Sequence, residues 1–567
     1  MKRNALALSV AAAVGAFGFA GVATAGVIDG GLVTPPPPST VTSATGVVSA
    51  TNLVRNNNST GHILISPYFS TQSGNLTTLH IANTDLVNGK AVKVRFRSAA
   101  NSDDVFDFQI LMSPGDVWTG GVTMDEATGV SKLVTGDTSC TVPPVVNGEL
   151  FPTFRLPASK TDAERAAMTR EGYIEILNMA DISSNSGTAL DKAVYATNGG
   201  ALWKATKHVK GTAPCDPAAI NALKDNPATA QDAAELGLSL PSGGLFANTA
   251  IINVPNTAAY GSQAAALVAS TDAATVTPGL ANIVFFPQTG DDVANADNAT
   301  SDPLLRQTAV LMANKLAIDP SKLPLVQPAM YDLPDLSTPY VDPAGAAVPP
   351  VGLGTDAPLN QAVALTKSLN VQSVTNEFNV EPGLDASTDW VFSMPTRRYH
   401  VAMDYEAASR VISGFDGRVY TSTTVAAGSD TASATPNVFN TEFQPTNTAL
   451  DTNDKTRICV ASGGIAMFDR EETTKTTGFV VSPGQATTVR FCGETSVLSF
   501  QLEGSSNNPS VLGSTVANQS ITTPYINGWA NLSAAGKPVL GAAYIKLVNN
   551  GARAGVSGNY GLVYGHR

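Results

Sequence analysis

The residues of this chain with the most obvious chemistry are carboxylates gathered in two loops. The run "TGDDVANADNATSD" (289–302) carries Asp291, Asp292, Asp297 and Asp302, and "NSDDVFD" (101–107) carries Asp103 and Asp104. Clustered hard oxygen ligands are what Ca²⁺ takes, so calcium is the one cofactor these residues point to. Their spacing is not that of an EF-hand loop: counting from Asp292, the third ligand position is Ala296. Asp and Asn serving as ordinary turn residues give the simpler account of both runs.

Other site chemistry is sparse. The five histidines, His62, His80, His208, His400 and His566, are far apart in sequence. No H-E-x-x-H occurs, "GVSGN" (555–559) fails the G-x-S-x-G pattern at its last position, and no P-loop or dinucleotide fingerprint is present. The corner Ser113-Pro114-Gly115 and its echo Ser482-Pro483-Gly484 show no reactive neighbour in sequence. There Pro fixes φ and Gly accepts positive φ, so both corners read as scaffold. No catalytic residue is assigned and no enzyme is expected.

Four cysteines, Cys140, Cys215, Cys459 and Cys492, complete the inventory. They allow three connectivities, and proximity favours Cys140–Cys215 and Cys459–Cys492. Each such bond would close a local loop worth ~3–4 kcal/mol in the chain-entropy model. There is no C-x-x-C and no nearby His, so a structural role is expected rather than a redox or metal one.

The elements that must position these residues begin after a leader. Lys2 and Arg3, an apolar run to Val22 and Ala23-Thr24-Ala25 have the form of a secretory signal peptide over 1–25. Residues 26–60, with Pro35 to Pro38 and much Ser, Thr and Gly, read as a Pro/Thr/Ser-rich linker or an arm that orders against a neighbouring molecule. From His62 the period is two: "HILISPYF", "LTTLHIAN", "AVKVRFRS", "VFDFQILM" and "DVWTGGV" are separated by turn clusters, of which Asn88-Gly89 is the strongest hairpin signal. In "AVKVRFRS" the Lys93, Arg95 and Arg97 side is expected to face solvent, as is the pair Arg397-Arg398.

An N-terminal β-sandwich is therefore expected over 61–145 and a mixed region of helices and strands over 146–370. Helices are expected behind the Thr161–Glu164 capping box, from Asp216-Pro217, from Asp302-Pro303 and over 358–369. A C-terminal β domain is expected over 371–567. The fold class is mainly β: antiparallel, Ig-like β-sandwich domains with a mixed α/β middle.

Charge narrows the partners. Setting Lys2 and Arg3 aside leaves 32 basic against 46 acidic side chains, a balance of −14. That disfavours nucleic acid, which needs concentrated Lys and Arg. Charged residues make up only 14% of the chain, against about 25% in typical soluble domains, so a low-charge surface suited to packing against copies of itself is expected. No run of apolar residues after the leader is long enough for a spanning helix.

The Ala-rich leader, "ANTDLVNGKAVKVRFRSAANSDDVFDFQILMSPGDVW" (82–118), "LFANTAIINV" (245–254) and "TNEFNVEPGLDASTDWVFSMPTRRY" (375–399) together resemble exported surface-layer proteins of Gram-negative proteobacteria, the nanopod type among them. The resemblance implies a cell-surface or extracellular location and self-assembly into a lattice; it carries no site residues. Two other readings accompany it. One is a secreted adhesin or glycan-binding protein that recognises outer-membrane surface glycans, stacking sugars on Trp118, Trp203, Trp390 or Trp529. The other is a secreted hydrolase.

Overall fold

The computed structural model describes residues 26–28, 50–285 and 365–567, apart from 101, 103, 154–155, 157–159, 185–199, 225–229, 398–400, 405–409, 414–447, 452–456, 470–488, 506–509, 516–517 and 554–555. The leader and the expected helix from Asp302-Pro303 lie outside these residues. So does the second Ser-Pro-Gly corner.

The first module is built from β1 (Asn52–Arg55), β2 (Ile63–Ser70), β3 (Asn75–Asn83), β4 (Gly89–Ser98), β5 (Asp104–Met112), β6 (Val117–Met124), β7 (Ser131–Val134), β8 (Cys140–Val142), β9 (Glu149–Leu150), β10 (Glu171–Ile182), β11 (Leu245–Asn253), β12 (Ala258–Gln263) and β13 (Ala265–Ser270). One sheet runs β1-β13-β2-β10-β4-β5-β8 and the other β9-β7-β6-β3-β11-β12. They share a core in which Leu64, Val94, Phe96, Phe108 and Ile174 of the first sheet meet Leu79, Ile81, Trp118 and Val122 of the second.

This topology redraws the expected boundaries. The central strand β10 and the strands β11 to β13 come from the stretch assigned to the mixed region. Within the expected arm, β1 pairs with β13 of the same chain, Val54 opposite Val268. Nor is Asn88-Gly89 a tight hairpin. It lies between β3 and β4, which belong to different sheets, and the Asp85 carboxylate shapes the turn by accepting from the backbone N–H of Val87 and Asn88 (2.8 and 3.0 Å). The Ser113-Pro114-Gly115 corner likewise carries β5 of one sheet into β6 of the other, with Gly115 at φ 69°.

The outer face of the larger sheet is covered, not solvated. Helices α1 (Asp162–Met168), α2 (Ala201–Thr206), α3 (Pro217–Asn221) and α4 (Ala230–Glu235) occupy the long connections. Leu202, Ala213, Leu223 and Ala233 of this excursion pack on Ile63, Leu177 and Met179 of the sheet. The Thr161–Glu164 capping box, the Asp216 cap with Pro217 and a helical turn at 365–369 appear as expected. Because the excursion, with Leu365, Leu369 and Leu540 from further along the chain, covers that face, β4 is buried at every position. Lys93, Arg95 and Arg97 are therefore interior, contrary to the solvated face expected, and Lys93–Asp107 and Arg97–Glu175 (3.1 Å) pair within the sheet. Arg397 is interior too, bonded to Glu494 at 2.9 Å.

The second module comprises β14 (Asn370–Asn379), β15 (Ser387–Ser393), β16 (Thr448–Leu450), β17 (Ile458–Ala461), β18 (Gly464–Asp469), β19 (Arg490–Cys492), β20 (Thr495–Leu502), β21 (Asn518–Thr523), β22 (Asn527–Pro538), β23 (Leu540–Arg553) and β24 (Val556–Gly565). A five-stranded sheet β21-β20-β15-β23-β24 faces two three-stranded sheets, β14-β22-β18 and β16-β17-β19. All its pairs are antiparallel except β20 with β21. Phe378 stacks on Phe500 (5.1 Å between centroids), and Trp390 Nε1 donates to Glu377 O at 2.8 Å. The mainly β, antiparallel class therefore stands, with sheets larger than a seven-strand Ig-type framework.

Candidate functional site

Reactive residue types meet at the first Ser-Pro-Gly corner, where sequence spacing showed no neighbour. His208, just beyond α2, brings Nδ1 to 3.2 Å from Ser113 Oγ and 3.6 Å from the Asp116 carboxylate. Asp116 also accepts from Ser113 N (3.0 Å) and Ser139 Oγ (3.4 Å). One residue further, Cys140 is bonded to Cys215, whose N–H reaches Ala205 O at 2.9 Å.

A Ser-His-Asp relay uses opposite ring nitrogens for hydroxyl and carboxylate. Here both sit on Nδ1, and Ser113 is buried beneath the corner. The arrangement clamps the helical excursion to the sandwich; it offers no hydroxyl to a substrate.

The other expected sites separate cleanly. Both proximity-favoured disulfides are present, Cys140–Cys215 and Cys459–Cys492, the latter joining directly opposed residues of β17 and β19 with Cα atoms 3.9 Å apart. Asp451 lies beside Cys459 and Cys492, but oxidised sulfurs are not thiolate ligands. Of the calcium candidates, Asp103, Asp291, Asp292, Asp297 and Asp302 lie outside the described residues, and Asp104 opens β5 opposite Arg97. Among the tryptophans, Trp118 and Trp390 are core, and Trp203 is half-buried with Lys207 Nζ 5.8 Å over its ring. Trp529 is exposed, one face stacked on Phe468 at 4.2 Å.

His62 is buried and His566 is half-buried. His62 accepts from Ala269 N at Nδ1 (3.2 Å) and donates from Nε2 to Pro241 O (3.2 Å). His566 accepts from Asn376 at Nδ1 (2.9 Å) and donates from Nε2 to Val391 O (2.8 Å). Each is held as one neutral tautomer, and burial brings each pKa down to about 4.

Two larger surfaces remain. The modules meet through an apolar seam of Tyr68, Ile251 and Tyr260 against Val391, Val497, Leu512 and Tyr544. Polar ties flank it: Glu171 accepts from Ser514 Oγ (2.8 Å) and Thr515 N (3.0 Å), and Asn75 donates to Leu512 O (2.8 Å).

The second surface is β24, the last strand in its sheet. Its residues Val556–Gly565 contain no charge and no proline. Tyr560, Leu562 and Tyr564, alternate residues on one face, are 55%, 36% and 39% exposed. The sequence marked this stretch as a strand; only the sheet order reveals that it is an edge.

Comparison with known proteins gave no matching family model, no curated relative and no matching solved structure.

Proposed function

We propose that this protein is a structural subunit that self-assembles into a surface layer, sheath or filament outside the outer membrane. The observation that carries the reading is β24: a ten-residue edge strand, uncharged and Pro-free, with an exposed Tyr560–Leu562–Tyr564 stripe. Sheet edges in monomers are normally blunted by Lys, Pro, bulges or covering elements. Asn559 and Gly561 pack β24 against the turn before β12 and Tyr260 of the first module, so what another copy can meet is the opposite, Tyr560–Leu562–Tyr564 face, free of Lys and Pro, on which it can lay a strand.

Two disulfides fit an oxidising compartment. Among the described residues no helix is long and apolar enough to cross a membrane. The two modules, joined by their seam, supply a single building block.

Light scattering on the mature chain across a concentration series, with Ca²⁺ present, tests this. Growth of particles with concentration is expected. A chain that stays monomeric at high concentration contradicts the reading and leaves binding through exposed Trp529 as the function to examine, on a glycan array.

A further inference from the structure

Lys90, Asn178 and Asp181 are withdrawn from solvent in the middle of the first module, at 0%, 0% and 2% exposure. Residues three apart on a regular strand face opposite sides of the sheet. The register of β10 against β4 slips between Asn178 and Ala180, and this irregularity brings Asn178 and Asp181 to the same side as Lys90, which lies directly opposite Asp181.

Three groups of complementary chemistry converge there. Lys90 Nζ donates to Asp181 Oδ1 at 2.8 Å, and Asn178 Nδ2 donates to that same oxygen at 2.7 Å. Both nitrogens also reach Ser242 O, at 3.4 and 2.9 Å. The amine and the carboxamide nitrogen are thus held side by side by two shared acceptors. The Asn178 Oδ1 atom, equally buried, has no hydrogen-bond partner, which is uncommon for an interior amide serving only as a structural link. Neighbouring His62 is neutral and fixed by its own two hydrogen bonds.

We propose that Lys90 and Asn178 join in an intramolecular isopeptide bond, with Asp181 as the proton carrier. Asp181 takes a proton from the Lys90 ammonium, and the freed amine attacks Cγ of Asn178. The Nζ–Cγ bond forms, a second amine proton passes through Asp181 to Nδ2, and the Cγ–Nδ2 bond breaks. Nitrogen leaves as ammonia together with the proton that Lys90 first gave up. Atoms and charge balance, and no oxidant or cofactor is consumed. Fixed proximity supplies the effective concentration, and a carboxylate touching both nitrogens is placed to relay protons. The product would tie two central strands of the larger sheet covalently, as suits a subunit of the proposed surface assembly.

Intact mass spectrometry of the wild-type chain with disulfides retained, followed by peptide mapping, tests this. Relative to the sequence with its two disulfides formed, the expected mass is lower by one ammonia, about 17 Da, and the digest yields one branched peptide containing Lys90 and Asn178. Lys90→Arg and Asp181→Ala should each restore the lost mass. A wild-type mass equal to that of the disulfide-bonded sequence, with the Lys90 and Asn178 peptides recovered separately, overturns the proposal. That measurement needs no variant to fold. A cross-link persisting in Asp181→Ala overturns the role of Asp181.

Discussion

At the scale of single residues, burial decides most of the chemistry. His62 and His566 have folded pKa values of about 4, against about 6.5 in an unfolded chain. For a base depressed in this way the unfolded state binds more protons between those two values. The stabilising contribution is complete above pH 6.5 and is lost as pH falls toward 4. Each histidine is worth roughly 3 kcal/mol over that window. Denaturant midpoints measured at pH 7.5 and pH 4.5 should differ accordingly, with the acid sample weaker; equal midpoints would contradict the burial of both rings. Asp389, raised by its own burial despite bonds from Ser510 and Leu512, works in the opposite direction.

Ser113 offers a second check at this scale. Ser113→Ala should cost about 1 kcal/mol for the lost hydrogen bond and should change no labelling by a serine-directed probe, since the wild type is expected not to label. None of this was legible residue by residue. His208 is 95 residues from Ser113, and Lys93, Arg95 and Arg97 alternate in the pattern of a solvated strand face. That pattern says which residues share a side. It cannot say that a helical excursion more than a hundred residues later will cover that side, or that Asp107 and Glu175 will be there to pair with them.

Among the elements, strands and caps were readable because their signals are local. Alternation over "AVKVRFRS" and "VFDFQILM", the Thr161–Glu164 box and the Asp216-Pro217 start all correspond to elements in the structure. Sheet membership was not readable, since Asn88-Gly89 and Ser113-Pro114-Gly115 serve as corners between sheets as readily as they would serve hairpins. Nor could local signals show that β10 inserts between β2 and β4.

The Cys140–Cys215 bond fastens the helical excursion to edge strand β8, so its removal should act locally. Replacing both cysteines by Ser is expected to cost about 2–5 kcal/mol and to make residues 207–215 the first site of limited proteolysis. Cleavage elsewhere first would show that the excursion is held by its apolar contacts alone.

For the whole molecule, the seam makes two sandwiches behave as one body. Tyr544 contacts Tyr68 and Tyr260 edge-on, with ring centroids 6.2 and 5.9 Å away. Tyr544→Ala should remove roughly 3–5 kcal/mol of packing and split a single calorimetric transition into two. A variant that still melts in one step would mean the polar ties at Glu171 suffice. The −14 balance also bears on contacts between copies, because like charges brought edge to edge repel. Divalent ions bridging surface carboxylates would relieve that repulsion, so assemblies formed in Ca²⁺ are expected to loosen in chelator at low ionic strength. Persistence unchanged would remove calcium from the account.

The central claim, assembly through the exposed Tyr560–Leu562–Tyr564 face of β24, is tested most directly by negative-stain electron microscopy of the wild type beside Leu562→Lys at equal concentration. A lysine in the exposed stripe puts a charge where an added strand must pack, and Leu562 is far enough from the core to leave the fold intact by circular dichroism. Ordered sheets, tubes or filaments from the wild type and dispersed, folded particles from the variant are the predicted result. Equal assembly by both chains, or by neither, would contradict it.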